Sequence, residues 1–335
     1  MNLGIESKEV SWKVFDIPVY GTLTAPTDGE VHSAVVFVAG SGPTDRNWCS
    51  PLLPGTNGSG KLLAERLAGQ GFVTLRYDKL ASGPHVKENI PKLVGKISMQ
   101  SHVEELRGAV ETLISEKSVG KENVFALTNS EGSIHAVNYQ LQSKTDRFKG
   151  LVLIGAPGRA VGQVSRMQIF NQARQLPNAE AIMKAYDDAI ADFEANRPPT
   201  KDTVLPEGNI KLIVLSLWNP VNLPFSRELW GYSLPEYVAK IDEPIIVVIG
   251  KKDIQVDWEI DGRELEKAVS QKTSVSFVYP ENANHVLKHE VKPKAEITAQ
   301  HAAISYNAPD AELDNDAGNA ILNWLSTRAG TPSVL

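Results

Sequence analysis

The sequence predicts an α/β protein: a mostly parallel sheet with helices on both faces and an inserted, mainly helical cap. Three observations carry that expectation. Short, wholly apolar runs alternate with amphipathic helical patterns between residues 34 and 154, and the rhythm returns at 245–279, as strand–helix–strand units require. Each apolar run stops at a turn rich in Gly or polar residues, where ligands gather in open α/β sheets. One of those turns, Thr128 to Ser133, holds a Ser between a strand-like run and a helical pattern.

Taken in order, residues 8–24 alternate apolar and polar (Val10, Trp12, Val14, then Val19, Gly21, Leu23) and read as two antiparallel strands at a sheet edge. Ala34 to Ala39 is a strand buried on both faces, ending in the loop Gly40-Ser41-Gly42-Pro43-Thr44-Asp45-Arg46-Asn47. Lys61 to Ala68 is a short helix stopped by Gly69 and Gly71, and Phe72 to Tyr77 the next strand. The stretch 80–97 reads as irregular. Ser101 to Glu116 is a helix with Val103, Leu106, Val110 and Leu113 on one stripe, its Lys and Glu forming a solvated face. Val124 to Leu127 and Leu151 to Ile154 are strands flanking a helix from about Ile134 to Leu141.

The alternation then breaks. Residues 158–235 hold one long helical pattern (about Val161 to Asn196), the breaker Arg197-Pro198-Pro199, and a piece rich in aromatics. Lying between two core strands, this segment reads as a cap over the strand ends, which leaves 1–157 and 236–335 as the core. Ile245 to Ile249 is the cleanest buried strand; a helix (about Glu259 to Val269), the strand Val275–Tyr279 and a closing helix (Asp316 to Ser326) follow, and 328–335 reads as a loose tail.

Composition narrows the function. At 335 residues and 42% hydrophobic, the chain can bury a sizeable core. A net charge of −6 argues against nucleic acid or an anionic membrane as partner. The single cysteine, Cys49, excludes an internal disulfide framework and fits a reducing compartment. The opening MNLGIESKEV lacks a basic-then-apolar leader, and no window nears 18 uninterrupted apolar residues, so the expectation is a cytoplasmic protein without a membrane span. No cofactor is expected, a small-molecule substrate is the expected partner, and self-association into a homo-oligomer stays open.

Strand, tight turn with Ser, then helix is the geometry of a nucleophile elbow, in which the backbone N–H after the Ser is free to bind an anion. The usual pattern is G-x-S-x-G. Here Thr128 takes the first Gly and would crowd the turn, and Gly132 would relieve it. Ser130, Asp253 and His285 each lie just past a strand end, in the chain order Ser, Asp, His. A hydroxyl is a poor nucleophile at neutral pH, so a neutral imidazole must take its proton while a carboxylate holds the other ring N–H. Glu131 and Ser41 are the candidate backbone donors to the oxyanion, with Gly42 letting the main chain approach substrate. Asp257 and Asp261 are rival acids, but only Asp253 follows its strand directly. His289 stands one helical turn beyond His285, yet no Glu or third ligand completes a metal site, so no metal is expected. His32, His85, His102, His135 and His301 read as surface or packing residues. Asp45 and Arg46 read as pairing with each other or with the cap and so ordering the glycine loop, Arg76 and Asp78 as structural, and Trp218 as a candidate lining residue for an acyl pocket.

Five blocks together resemble a known family: Val38-Ala39-Gly40-Ser41-Gly42-Pro43-Thr44-Asp45-Arg46-Asn47, Leu75-Arg76-Tyr77-Asp78-Lys79, Asn129-Ser130-Glu131-Gly132, Gly250 to Val256, and Asn284-His285-Val286-Leu287-Lys288. In this order they look like bacterial α/β-hydrolase-fold esterases, nearest the dienelactone-hydrolase-like and serine-aminopeptidase-like carboxylesterases with a GSGP-x-DR loop. The resemblance spans about residues 35–326. It implies an α/β-hydrolase fold, Ser130, Asp253 and His285 as triad, Ser41 and Glu131 as oxyanion donors, 158–235 as cap, and small acyl esters as substrates. Thr128, Ser133, Ala39 and Leu80-Ala81-Ser82-Gly83 depart from the family's usual residues. Thioester, peptide or carbon–carbon bond hydrolysis on the same triad, and a non-catalytic ligand-binding homologue, are the competing readings.

Overall fold

The third strand explains the layering. Along β3 (His32–Val38), Ala34, Val36 and Val38 point into one apolar cluster, and Val35 and Phe37 into another on the opposite face. Strand geometry sends successive side chains to opposite faces, so an all-apolar run is what a strand covered on both sides needs. The same split recurs in Val124 and Ala126 against Phe125 and Leu127.

The computed structural model describes residues 3–174, 176–199, 205 and 209–330. Its sheet has eight strands in the order β1-β2-β4-β3-β5-β6-β7-β8. These are β1 (Ile5–Val14), β2 (Ile17–Pro26), β3, β4 (Phe72–Tyr77), β5 (Val119–Asn129), β6 (Gly150–Ile154), β7 (Ile245–Val248) and β8 (Val275–Val278). From β4 to β8 all neighbours are parallel; β2 runs antiparallel to β4 and to β1. The hairpin between β1 and β2 turns on Phe15 and Asp16, both at positive φ (51° and 61°), the conformation a two-residue type I′ turn demands.

The helices are α1 (Ser59–Ala68), α2 (Val86–Asn89), α3 (Met99–Ser115), α4 (Gly132–Gln142), α5 (Val161–Ala173), α6 (Ala179–Glu194), α7 (Asn209–Ser216), α8 (Leu223–Trp230), α9 (Leu234–Val238), α10 (Ile260–Ala268), α11 (Ala299–Ser305) and α12 (Asn315–Ala329). Leu63 and Leu67 of α1 and Ile321 and Leu325 of α12 cover one face of the sheet. The stripe Val103, Leu106, Val110 and Leu113 of α3 covers the other, with Ile134 and Val137 of α4. Ser98 starts α3 with a reciprocal pair of bonds to Ser101, and Asp314 caps α12 by accepting from Ala317 N–H.

Three expectations need correction. The long helix of 161–196 is two, α5 and α6, parted at Leu176-Pro177, because proline removes an N–H and clashes with the preceding turn. The stretch 80–97 contains α2 and a 3-10 turn at Ile90–Lys92. The tail begins later than residue 328, since α12 runs to Ala329 and Gly330 ends it at φ 77°; residues 331–335 lie outside the described residues.

Between β6 and β7 the described residues form α5 to α9. Ile169, Ala173, Ile182, Tyr186, Ile210 and Val214 give α5, α6 and α7 a core of their own. The insertion is also tied down. Arg159 forms a 2.7 Å ion pair with buried Asp261, Tyr232 Oη–H donates to Asn138 of α4, and Gln168 Nε2–H donates to Gln255 O. Among the described residues no helix is long and apolar enough to cross a membrane.

Candidate active site

Because β3, β5, β6, β7 and β8 are parallel neighbours, their carboxyl ends open on one side. Asn129 ends β5 and Ser130 follows at φ 53°, the left-handed region that a non-glycine residue enters only under local compulsion. The compulsion is visible. Ser130 N–H donates to Ile154 O at the end of β6 (2.7 Å), while Ser133 N–H already turns back to Ser130 O (3.0 Å) to begin α4. Ser130 is half-buried and so reachable from solvent.

Asp253 and His285 meet as the sequence expects. His285 Nδ1 and Asp253 Oδ2 are 2.7 Å apart, and both side chains are buried. The other oxygen, Asp253 Oδ1, accepts from the N–H groups of Gln255 (2.7 Å) and Val256 (2.9 Å). A carboxylate so held accepts Nδ1–H, which leaves the lone pair of the imidazole on Nε2. The rival acids are otherwise engaged: Asp261 with Arg159 and Gly158 N–H, Asp257 with Lys294.

Small residues let the histidine's segment cross the strand ends. The segment 280–285 returns from β8 across the ends of β7 and β6. A Cβ on Gly250, after β7, would overlap Ala283 O, and one on Gly155, after β6, would lie 3.1 Å from both Cε1 and Nδ1 of His285. Gly155 therefore leaves the ring room beside the strand end that accepts from Ser130. Asn129 adds a direct link, its Nδ2–H donating to His285 O (3.1 Å). On the other side, a Cβ on Gly40 would lie 3.2 Å from Ser130 Cβ, so the glycine loop abuts the serine.

The two elbow residues that depart from the family pattern are partners. Thr128 Oγ1 lies 2.8 Å from Ser133 Oγ and 3.1 Å from Val152 O, fully buried. Val152 O can only accept, so Thr128 donates to it and receives from Ser133. The small residue at Gly132 answers to a different neighbour than expected: a Cβ there would collide with Val38 O and Ala39 O of the β3 end, not with Thr128. Thr128→Val leaves the Ser133 hydroxyl without its acceptor and is expected to cost about 1–2 kcal/mol, with part of that recovered in Thr128→Val/Ser133→Ala. Urea denaturation of the four-protein cycle checks it.

Beneath the elbow lies a charged network that sequence reasoning missed. Glu131 Oε1 accepts from His135 Nε2 (3.2 Å), and His102 Nδ1 meets Glu105 Oε2 (2.9 Å); the two imidazoles pack 4.2 Å apart with Phe225 of α8 against both. His102 and His135 are thus packing residues, as expected, but each also meets a carboxylate, and Glu105 is wholly buried rather than on a solvated face. Burial raises the pKa of Glu131, but the hydrogen bond from His135 and the charges of Lys79, His135 and His102 outweigh it and pull the value to about 2. Burial, and then the neighbouring His102, push His135 down to about 4, so it is neutral at pH 7. Its Nδ1 has no partner among the described residues. The available signal was that His102 and Glu105 interleave with Val103 and Leu106 on the buried side of α3.

The glycine loop is ordered differently than expected. Arg46 pairs not with Asp45 but with Asp78, donating through Nε (2.9 Å) and NH2 (2.7 Å), and also with Glu9. Asp45 instead accepts from the N–H groups of Asn47 and Cys49. Arg76 and Asp78 are buried structural residues, as expected. Trp218 packs edge-on to Phe193 (5.4 Å) and donates to Arg197 O, the contacts of a packing residue in the insertion's own core. Gly42, at φ 70°, faces open space where a side chain would be. No group of three or more metal-ligating side chains is found among the described residues; His289 pairs with Asp314.

This sheet order, strand-end serine and buried carboxylate–imidazole pair belong to the α/β-hydrolase fold. Solved structures bear the fold out at low identity. A 2,6-dihydroxy-pseudo-oxynicotine hydrolase aligns with 98% of this chain and 70% of its own length at TM-score 0.56 and 13% identity. The α/β hydrolase GrgF from Penicillium sp. sh18 aligns over 97% and 99% at TM-score 0.58 and 13% identity. An acylaminoacyl peptidase from Pyrococcus horikoshii covers 99% of this chain with 43% of its own length, at TM-score 0.54 and 12% identity. No protein-family model and no curated protein matches the sequence.

Proposed function

We propose that this chain is a serine hydrolase that cleaves carboxylic esters, short to medium acyl esters or lactones, through an acyl-enzyme. The observation that carries the reading is the 2.7 Å Asp253–His285 pair, its His285 O accepting from Asn129, together with the next residue, Ser130, held at positive φ on a strand-to-helix turn. In this scheme Ser130 Oγ attacks the acyl carbon as its proton passes to His285 Nε2, and the N–H groups of Ser41 and Glu131 receive the oxyanion. Asp253 fixes the tautomer and steadies the imidazolium. Collapse expels the alcohol, which takes the proton from Nε2. Water then repeats the sequence on the acyl-enzyme and releases the acid. Neither Ser41 nor Glu131 N–H donates to another group among the described residues, which leaves both free for this task.

The insertion 158–235 acts as the cap of this reading. The resemblance to esterases with the same glycine loop supports the ester class. An acylaminoacyl peptidase among the similar folds makes the amide bond the second reading. A fluorophosphonate probe is expected to modify the folded protein at Ser130, read by peptide mass. A folded, unmodified protein would overturn the triad. A panel of p-nitrophenyl esters, acyl-CoA and aminoacyl amides then separates the bond classes, and preference for amides would displace the ester reading.

A further inference from the structure

Lys79, just past the end of β4, is buried, and a buried lysine needs a strong reason to stay. Its Nζ donates to Gly40 O and to Gly42 O (2.9 Å), two carbonyls of the glycine loop that converge on one ammonium because Gly42 turns the chain at φ 70°. The lysine is itself fixed. The next N–H, of Leu80, donates to Glu105 Oε1 (2.7 Å), and Lys79 O accepts from Ser82 N–H (2.9 Å). Burial lowers the pKa of Lys79, while the carboxylates of Glu131 and Glu105 work to keep it charged.

The direction of Gly40 O decides the direction of its neighbour. The chain has no cis peptide bond, and in a trans peptide the carbonyl and the following N–H point opposite ways. With Gly40 O drawn inward to the ammonium, the N–H of exposed Ser41 is turned outward, next to Ser130, against which Gly40 packs. We propose that Lys79 is the positioning residue of the oxyanion site: by gripping Gly40 O and Gly42 O from inside, it aims the Ser41 N–H at the acyl oxygen. This rests on the serine-hydrolase reading. Glu131 joins the two halves of the site, since its backbone offers the second N–H while its side chain faces the lysine's charge.

Lys79→Met keeps most of the length of the side chain and removes the grip, and Lys79→Gln keeps an N–H donor group. The pair of substrates is p-nitrophenyl acetate and its thionoester, whose sulfur accepts hydrogen bonds poorly and draws little help from an oxyanion site. In Lys79→Met, kcat for the oxoester is expected to fall about 10²-fold or more, the loss typical of one oxyanion donor. KM should change by less than about threefold, and the preference for oxoester over thionoester should shrink about tenfold, with Lys79→Gln in between. A merely structural role would lower both substrates alike; that result, or an oxoester rate within about threefold of the parent, overturns the proposal. If Lys79→Met does not fold by circular dichroism, the ratio in Lys79→Gln decides by the same criterion. Fluorophosphonate labelling of the parent separates the two failures. An unlabelled parent sinks the serine chemistry and this proposal together, whereas a labelled parent with an unmoved ratio sinks only the role of Lys79.

Discussion

Ser130→Ala and His285→Ala are each expected to lower kcat by about 10⁴–10⁶, with circular dichroism and melting temperature close to the parent. The reason is that, in the proposed scheme, the two side chains form one device. Without the hydroxyl nothing becomes acylated; without the imidazole the hydroxyl keeps its proton. The double variant should therefore be hardly worse than either single one, and additive losses would count against a shared step. Asp253→Asn should cost about 10⁴, because an amide that donates toward Nδ1 favours the tautomer with its proton on Nε2, where the base is needed. Single-turnover rates on the best p-nitrophenyl ester measure all four proteins.

The second large effect is on stability in acid. His135 has a folded pKa of about 4 against an ordinary 6.5, so the unfolded chain takes its proton first and stability drains away as pH falls from 6.5 to 4. Glu131, at about 2 against 4.5, contributes stability that is full above 4.5 and is lost as pH falls toward 2. Glu105 shifts in the same direction, its burial outweighed by His102, Leu80 N–H and Lys79. The groups acting on His135 are His102 on α3, Glu131 at the start of its own helix, and Lys79 beyond β4. A shift of this size corresponds to on the order of 3 kcal/mol across its window. Urea midpoints should fall steadily from pH 6.5 to 4, and His135→Gln should flatten that slope. An unchanged slope would mean that the histidine gains its proton without loss of the fold.

Much of this architecture was legible because the core strands are short, apolar and set off by turns. Phe72–Tyr77 is found where the spacing put it, and Ser130, Asp253 and His285 stood out because each follows such a run. Turn residues beside apolar strands are conspicuous; polar residues on a helix are not. Whether Glu105 faces solvent or an imidazole depends on what packs against α3, and Phe225, which closes over His102 and His135, comes from an insertion far along the chain. Periodicity carries no such information. The elbow was half legible: Thr128 and Ser133 were each visible as departures, but their 2.8 Å contact joins a strand to a helix across the turn.

The glycines after β7 and β6 have a wider consequence. Neighbouring strands stand about 4.8 Å apart, so a histidine launched from β8 must travel three lanes sideways to serve the nucleophile proposed on β5. Gly250 and Gly155 are the pavement of that crossing, kept bare so that a backbone and then a ring can pass at contact distance. A methyl group dropped on either stone would leave Ser130, Asp253 and His285 in the protein and still strand the proposed proton carrier short of its destination.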